Sequence, residues 1–250
     1  MREAIDAIEL GCMDRREHGF FKFDGKTIHV RNAGANFEAV KGTLRAIVNS
    51  NNIKEIRLLA HADCGAMKLV NSVLKEKKEF SDKVGSGLME KINEVLIDQF
   101  RGIRFDSVEE LCRKNNELQA EKLRAAFPGI TITRGDEPVD VQKVTDTGSG
   151  HEHHSLYILK PSTKTYAGMI GGNQFDAYVL QAMSIEELKP DIAIALLLGQ
   201  RSITLVAQSA EEFMTVRNDM NSLKVSPNIP SGLKETMTMV KVYKLPSKIM

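Results

Sequence analysis

The sequence predicts an α/β fold, a parallel-core sheet flanked by helices. Three observations carry this expectation. Strand-like and helix-like segments alternate through the first half, the strand-like runs end at turns that open into helices, and the composition is that of a globular chain. Apolar residues make up 42% of the 250 and charged residues 27%, enough for a substantial core.

The elements follow in order. Ala7 to Leu10 predicts a short strand ending at Gly11-Cys12, and Lys26 to Arg31 a second, closed by Asn32-Ala33-Gly34. Phe37, Val40, Leu44, Ile47 and Val48 keep helical spacing, with Asn36 as the expected N-cap. Ile56 to Ala60 predicts the next strand, which stops at His61. Leu88, Ile92, Val95, Leu96 and Phe100 mark one face of a further helix. Ser107 and Glu110 form a capping box for another, which carries Leu111, Leu118 and Leu123 and ends at Pro128-Gly129. Ile130 to Thr133 is a strand, and the polar stretch Asp136 to His154 a linker.

The second half echoes the first. At a constant offset of 138 positions, Gly34, Phe37, Glu38 and Ala39 meet Gly172, Phe175, Asp176 and Ala177, and Ile56 to Leu59 meet Ile194 to Leu197. The expectation is a first domain over 1–138 and a degenerate repeat over 139–250. At that offset Cys12, Asp14, Arg16, His61 and Cys64 fall opposite Gly150, Glu152, His154, Gly199 and Ser202, so the copy has lost its thiolates.

Composition narrows the function. Lys plus Arg number 34 against 33 Asp plus Glu, and Trp is absent, which argues against a nucleic-acid partner. The longest apolar run, Ile192 to Leu198, is too short to span a bilayer. The first residues carry acid and lack the apolar core of a signal peptide, so a cytoplasmic protein is expected. Three cysteines, an odd number in a long chain, point to metal ligands, nucleophiles or core residues rather than a disulfide framework.

His61-Ala62-Asp63-Cys64 is an H-x-x-C step where a strand gives way to a turn, and Cys12 stands at the end of another strand. In a parallel sheet those ends share one edge. Two thiolates and an imidazole suit zinc and leave a fourth tetrahedral position free, the arrangement of a catalytic rather than a structural site. His151-Glu152-His153-His154 is read as a solvated loop, and Cys112 as a core residue. His18 and His29 have the right ordinary pKa for proton carriers but are not assigned that role.

Cys12-Met13-Asp14-Arg15-Arg16, Arg31-Asn32-Ala33-Gly34-Ala35-Asn36 and His61-Ala62-Asp63-Cys64-Gly65 resemble the C-x-D-x-R, R-N-A-G/A-N and H-x-x-C-G motifs of β-class carbonic anhydrases. They stand in family order over the first half of the chain. Arg15 departs from the pattern, replacing a small residue. The resemblance implies Zn2+ on Cys12, His61 and Cys64, and reversible hydration of CO2 to bicarbonate and a proton through a zinc-bound hydroxide. Asp14 would accept a hydrogen bond from that hydroxide, and Arg16 would clamp Asp14 through a fork that lysine could not copy. The pocket would be walled by Asn32, Ala33, Gly34 and Gly65, with Arg31 and Asn32 fixing the loop by hydrogen bonds.

The family site lies near a dimer interface. A degenerate repeat would make one chain a pseudo-dimer, with a homo-oligomer as the other arrangement. The rivals are a hydrolase of CS2 or COS on the same zinc, and a non-catalytic zinc-binding protein. Whether Asp14 pairs with Arg16 or occupies the metal's fourth position is left open by the sequence.

Overall fold

The computed structural model describes residues 4–14, 16, 24–135, 154–159, 177–183, 185–199, 202–207, 214, 217–218, 221 and 241–244. The strands are β1 (Ala7–Cys12), β2 (Thr27–Asn32), β3 (Glu55–Leu59), β4 (Thr131–Arg134), β5 (His154–Leu159), β6 (Ala177–Ala182), β7 (Ser202–Ala207) and β8 (Lys241–Lys244). They form one sheet in the order β4-β3-β1-β2-β6-β5-β7-β8. Every neighbouring pair is parallel except β2 and β6, which run antiparallel through Arg31 and Gln181. The sheet is therefore mixed, with a parallel array on each side of one antiparallel seam.

Both arrays follow one order. The first half's strands stand fourth, third, first, second; across the seam come the second half's second, first, third, fourth. The ungapped offset of 138, however, is not the register of these elements. Ile194 to Leu197, set by that offset against β3, lie in helix α6 (Ile185–Leu197), whereas the strand paired with β5 begins at Ser202. An apolar run of Ile, Ala and Leu suits a buried helix as well as a strand, and periodicity cannot separate them over so short a stretch. Residues 136–153, with the expected linker and domain boundary, and the partners proposed at 172–176 lie outside the described residues.

Helices α1 (Lys41–Ser50), α2 (Gly65–Leu74), α3 (Ser81–Val84), α4 (Ser86–Ile92) and α5 (Val108–Ala126) complete the first half. The Phe37–Val48 pattern starts later than its apolar spacing suggests. A turn of 3-10 helix at Glu38–Val40 precedes α1, and Asn36 accepts the Glu38 amide at 3.0 Å, so it caps that turn instead. The stretch from Leu88 to Phe100 runs as α4, a π-helical segment Asn93–Ile97 and a 3-10 turn Asp98–Phe100. Ile92, Leu96 and Phe100 are buried as the pattern requires. Ser107 caps α5 by accepting the Glu110 amide at 3.1 Å, but Glu110 reaches back to the Asp106 amide rather than to that of Ser107.

The core runs from Ile8, Leu10 and Val30 in the sheet through Leu44, Met67, Phe100 and Leu123 in the helices, and includes Cys112. It continues into Leu180, Leu188 and Ile192 of the second half, so α6 shares one core with the first-half elements. No helix among the described residues is long and apolar enough to cross a membrane.

Candidate metal centre

Cys12 is the last residue of β1, and His61 and Cys64 follow the end of the adjacent β3. Parallel pairing brings these ends to the same edge, as the sequence pattern requires. Asp63, inside the H-x-x-C step, has a φ of 56°, a left-handed conformation that costs a non-glycine residue energy. This bend lets α2 begin immediately at Gly65.

One ligating atom from each of Cys12, His61 and Cys64 lies within 4.8 Å of the others, and all three residues are buried. The two sulfurs are 3.8 Å apart. Sulfurs each about 2.3 Å from a tetrahedral zinc would stand about 3.8 Å apart, so the donors fit that ion in identity and spacing. His61 Nδ1 is 2.7 Å from the Ala62 carbonyl oxygen. A carbonyl only accepts, so Nδ1 carries a proton, and Nε2 is the nitrogen that would ligate a metal.

The thiols are electrostatically unequal. Burial raises the Cys12 pKa, but the hydrogen bond with Cys64 and the charge of His61 outweigh it, and it falls well below the ordinary thiol value. The bond to Cys12, burial and the Cys12 charge push Cys64 well above it.

Asp14 is 5% exposed and its carboxylate is fully engaged on one side. Arg16 donates to Oδ1 from its backbone amide at 2.9 Å and from Nε at 3.0 Å, and to Oδ2 from Nη2 at 2.8 Å. Arg16 also reaches Asp63 Oδ2 from Nη1 at 3.3 Å, and Lys68 Nζ lies 2.6 Å from Asp63 Oδ1. The structure thus pairs Asp14 with Arg16. Burial raises the Asp14 pKa, yet the Arg16 bonds and the charges of His61 and Arg16 leave it below the usual carboxylate value. Oδ2 is also the oxygen nearer the ligands, 4.0 Å from His61 Nε2.

The loop after β2 holds the corner. Arg31, fully buried, donates from Nε to the Cys12 carbonyl at 2.9 Å and from Nη2 to the Asp14 carbonyl at 2.7 Å. Asn32 closes the turn onto Asn36 through its Nδ2 to the Asn36 carbonyl at 2.6 Å and by accepting the Asn36 amide at 2.7 Å. Both fix the loop, as the sequence suggested. Gly34 donates its amide to Cys12 Sγ at 3.3 Å from a φ of 77°, and a Cβ there would come within 3.3 Å of Ala66 and Met67. Gly65 faces Leu198 of the second half, whose Cδ1 would stand 3.0 Å from an added Cβ.

Sequence reasoning missed two residues. Asn115 of α5 donates from Nδ2 to the Gly34 carbonyl at 2.9 Å. Asp191 of α6 accepts the Ala33 amide at 3.0 Å. Neither lies in a motif. A polar residue at a buried helix position was the only signal, and it names no partner. His29 is packed against Glu9, with Nε2 3.6 Å from Oε2, three positions before the strand ends and on the opposite face by strand alternation. His18, Arg15 and His151 to His153 lie outside the described residues.

No family model matches the chain, and no curated protein matches it. Among solved structures, it is similar to a carbonic anhydrase from Glaciozyma antarctica at 19% identity and a TM-score of 0.33, over 56% of this chain and 79% of that one. It is also similar to the β-carbonic anhydrase CcaA at 21% identity and a TM-score of 0.32, over 50% of this chain and 60% of that one. Likeness this slight decides neither fold nor chemistry. Those rest on the strands and side chains above, and the resemblance to β-carbonic anhydrases rests on the three motifs that meet at this corner.

Proposed function

We propose that the chain is a zinc-dependent enzyme that hydrates CO2 reversibly to bicarbonate and a proton. One observation carries the reading: Cys12, His61 and Cys64 converge to metal-binding distances with an arginine-clamped carboxylate at their side. A purely structural zinc site has no use for that pair. Zinc on these three donors would supply Lewis acidity that brings the pKa of water toward neutrality. Its two thiolate ligands would weaken that effect and favour a mildly alkaline working range.

The chain's own residues supply the rest. Arg16 occupies Asp14 Oδ1 with two donors and Oδ2 with one, leaving a lone pair on Oδ2 toward His61. Asp14 remains ionised, so it acts there as an acceptor that orients attacking water, not as an acid. Clamping also restrains Asp14 from swinging toward the metal position. Gly34 donates to Cys12 Sγ and lowers the charge that sulfur presents to an anionic product.

The second half is proposed to be a diverged copy that supplies, within one chain, the surface a partner subunit would. The repeated strand order, the antiparallel seam and the absence of any cysteine beyond Cys112 support this. If so, activity persists in a chain that light scattering shows to be monomeric; activity confined to larger assemblies overturns it.

The test of the activity is stopped-flow CO2 hydration by zinc-quantified protein at mildly alkaline pH, beside Cys64→Ala. Hydration well above the variant's supports the reading. A fully zinc-loaded protein no faster than the variant overturns it, and turnover of CS2 or COS by the same protein would reassign the substrate.

A further inference from the structure

Asp191 of α6 reaches the loop beside the metal corner from the second half. It follows Pro190 within α6 and is 1% exposed. Its Oδ1 accepts the Ala33 amide at 3.0 Å, and the very next amide, that of Gly34, donates to Cys12 Sγ at 3.3 Å. Consecutive amides of one turn thus hold the Asp191 carboxyl and the Cys12 sulfur. Asn115 fixes the Gly34 carbonyl from the opposite side, so the turn cannot rotate freely. The other carboxyl oxygen, Oδ2, is buried and has no hydrogen-bond partner among the described residues. Buried polar atoms are rarely left so, and each such atom calls for an explanation.

We propose that Asp191 is a ligand-facing residue of the metal pocket, supplied by the second half, whose Oδ2 hydrogen-bonds a small oxyanion, bicarbonate on the reading above. The chemistry is consistent with an anion. Burial, opposed by the Ala33 bond, pushes the Asp191 pKa above the usual carboxylate value. A carboxyl that keeps its proton donates to an anion, whereas a carboxylate would repel one. CO2 offers no donor and is a poor acceptor, so the bond discriminates in favour of the hydrated form.

The inference rests on the proposed function, and the experiment separates the two. Cobalt(II)-loaded wild type, Asp191→Ala and Asp191→Asn are titrated with bicarbonate, with the visible absorption of cobalt as the readout. All three are expected to bind one cobalt, because Asp191 is not a ligand. Asp191→Ala is expected to weaken bicarbonate by about tenfold or more. Asp191→Asn, which keeps an acceptor for the Ala33 amide and places an N–H where Oδ2 stood, should stay within about threefold of wild type. Unchanged affinity in the alanine variant overturns the proposal. So does a loss of about tenfold in the asparagine variant, which decides the matter even if the alanine variant does not fold. Wild type that takes up cobalt but ignores bicarbonate overturns the proposed function, and this inference with it.

Discussion

The two halves of the sheet follow one strand order and do different work. In the first, the strand ends carry Cys12, His61 and Cys64, with Asp14 and Arg16 beside them. In the second, β5 ends at Leu159, and no cysteine occurs anywhere beyond Cys112. What the second half contributes is a helix. From α6, Glu187 accepts the Thr43 amide at 3.0 Å and the Thr43 hydroxyl at 2.5 Å and Asp191 holds the Ala33 amide, and Leu198, just past the helix, covers Gly65. A strand order thus accommodates both a working edge and a supporting one, since side chains at the strand ends can change without altering the ladder that joins the strands.

That division of labour can be broken at several places. Removing a ligand has the largest expected effect. Cys12→Ala or Cys64→Ala should reduce zinc affinity by at least about a hundredfold, because the site drops from three protein donors to two; equilibrium titration against a chelator measures it. No comparable loss should follow any substitution in β5 to β8, and one that did would erase the contrast between the halves.

The clamp comes next. Arg16→Lys should keep one zinc per chain while lowering CO2 hydration by about tenfold or more, since lysine replaces a planar fork with a point charge. Unchanged hydration would show that Asp14 is oriented by something other than Arg16. Thr43→Val should then test the seam between the halves. It removes the hydroxyl that donates to Glu187 and accepts the Met183 amide at 2.6 Å, at a cost of about 1–3 kcal/mol. A single cooperative transition shifted down in denaturant would show that the halves unfold together. Loss of a separate second transition would show that they do not.

The smallest effect is the pH dependence of Asp191. Its folded pKa is raised, so the stability it contributes is fully present below its unfolded pKa of about 4 and is lost as pH rises through the folded value. The groups responsible are the buried surroundings, Cys12 at the end of β1 and Glu187 on its own helix. Asp191→Asn removes the titration. Its stability relative to wild type should therefore improve steadily as pH is raised above about 4, as denaturant midpoints at acid and neutral pH will show. A difference that does not change with pH would place an ionised carboxylate in the folded chain.

Much of this was legible in the amino acids alone. The chemical types at Cys12, His61 and Cys64 marked them as residues that could bind a metal, and their positions at predicted strand ends put them on one edge, because parallel strands must share an end. The roles of Arg31 and Asn32 as loop clamps followed from polar side chains at a turn. The failures have one cause as well. Ile194 to Leu197 suit a strand or a helix equally, and only packing against the first-half core decides for the helix. That same helix brings Asp191 to Ala33 across 158 positions of sequence, and brings Glu187 to Thr43. Local pattern determined which residues could bind a metal and roughly where the first-half strands would stop. Only the tertiary structure decided that Asp14 faces Arg16, and that a helix from the other half packs beside the corner, since such contacts depend on burial and chain crossing that no local spacing encodes.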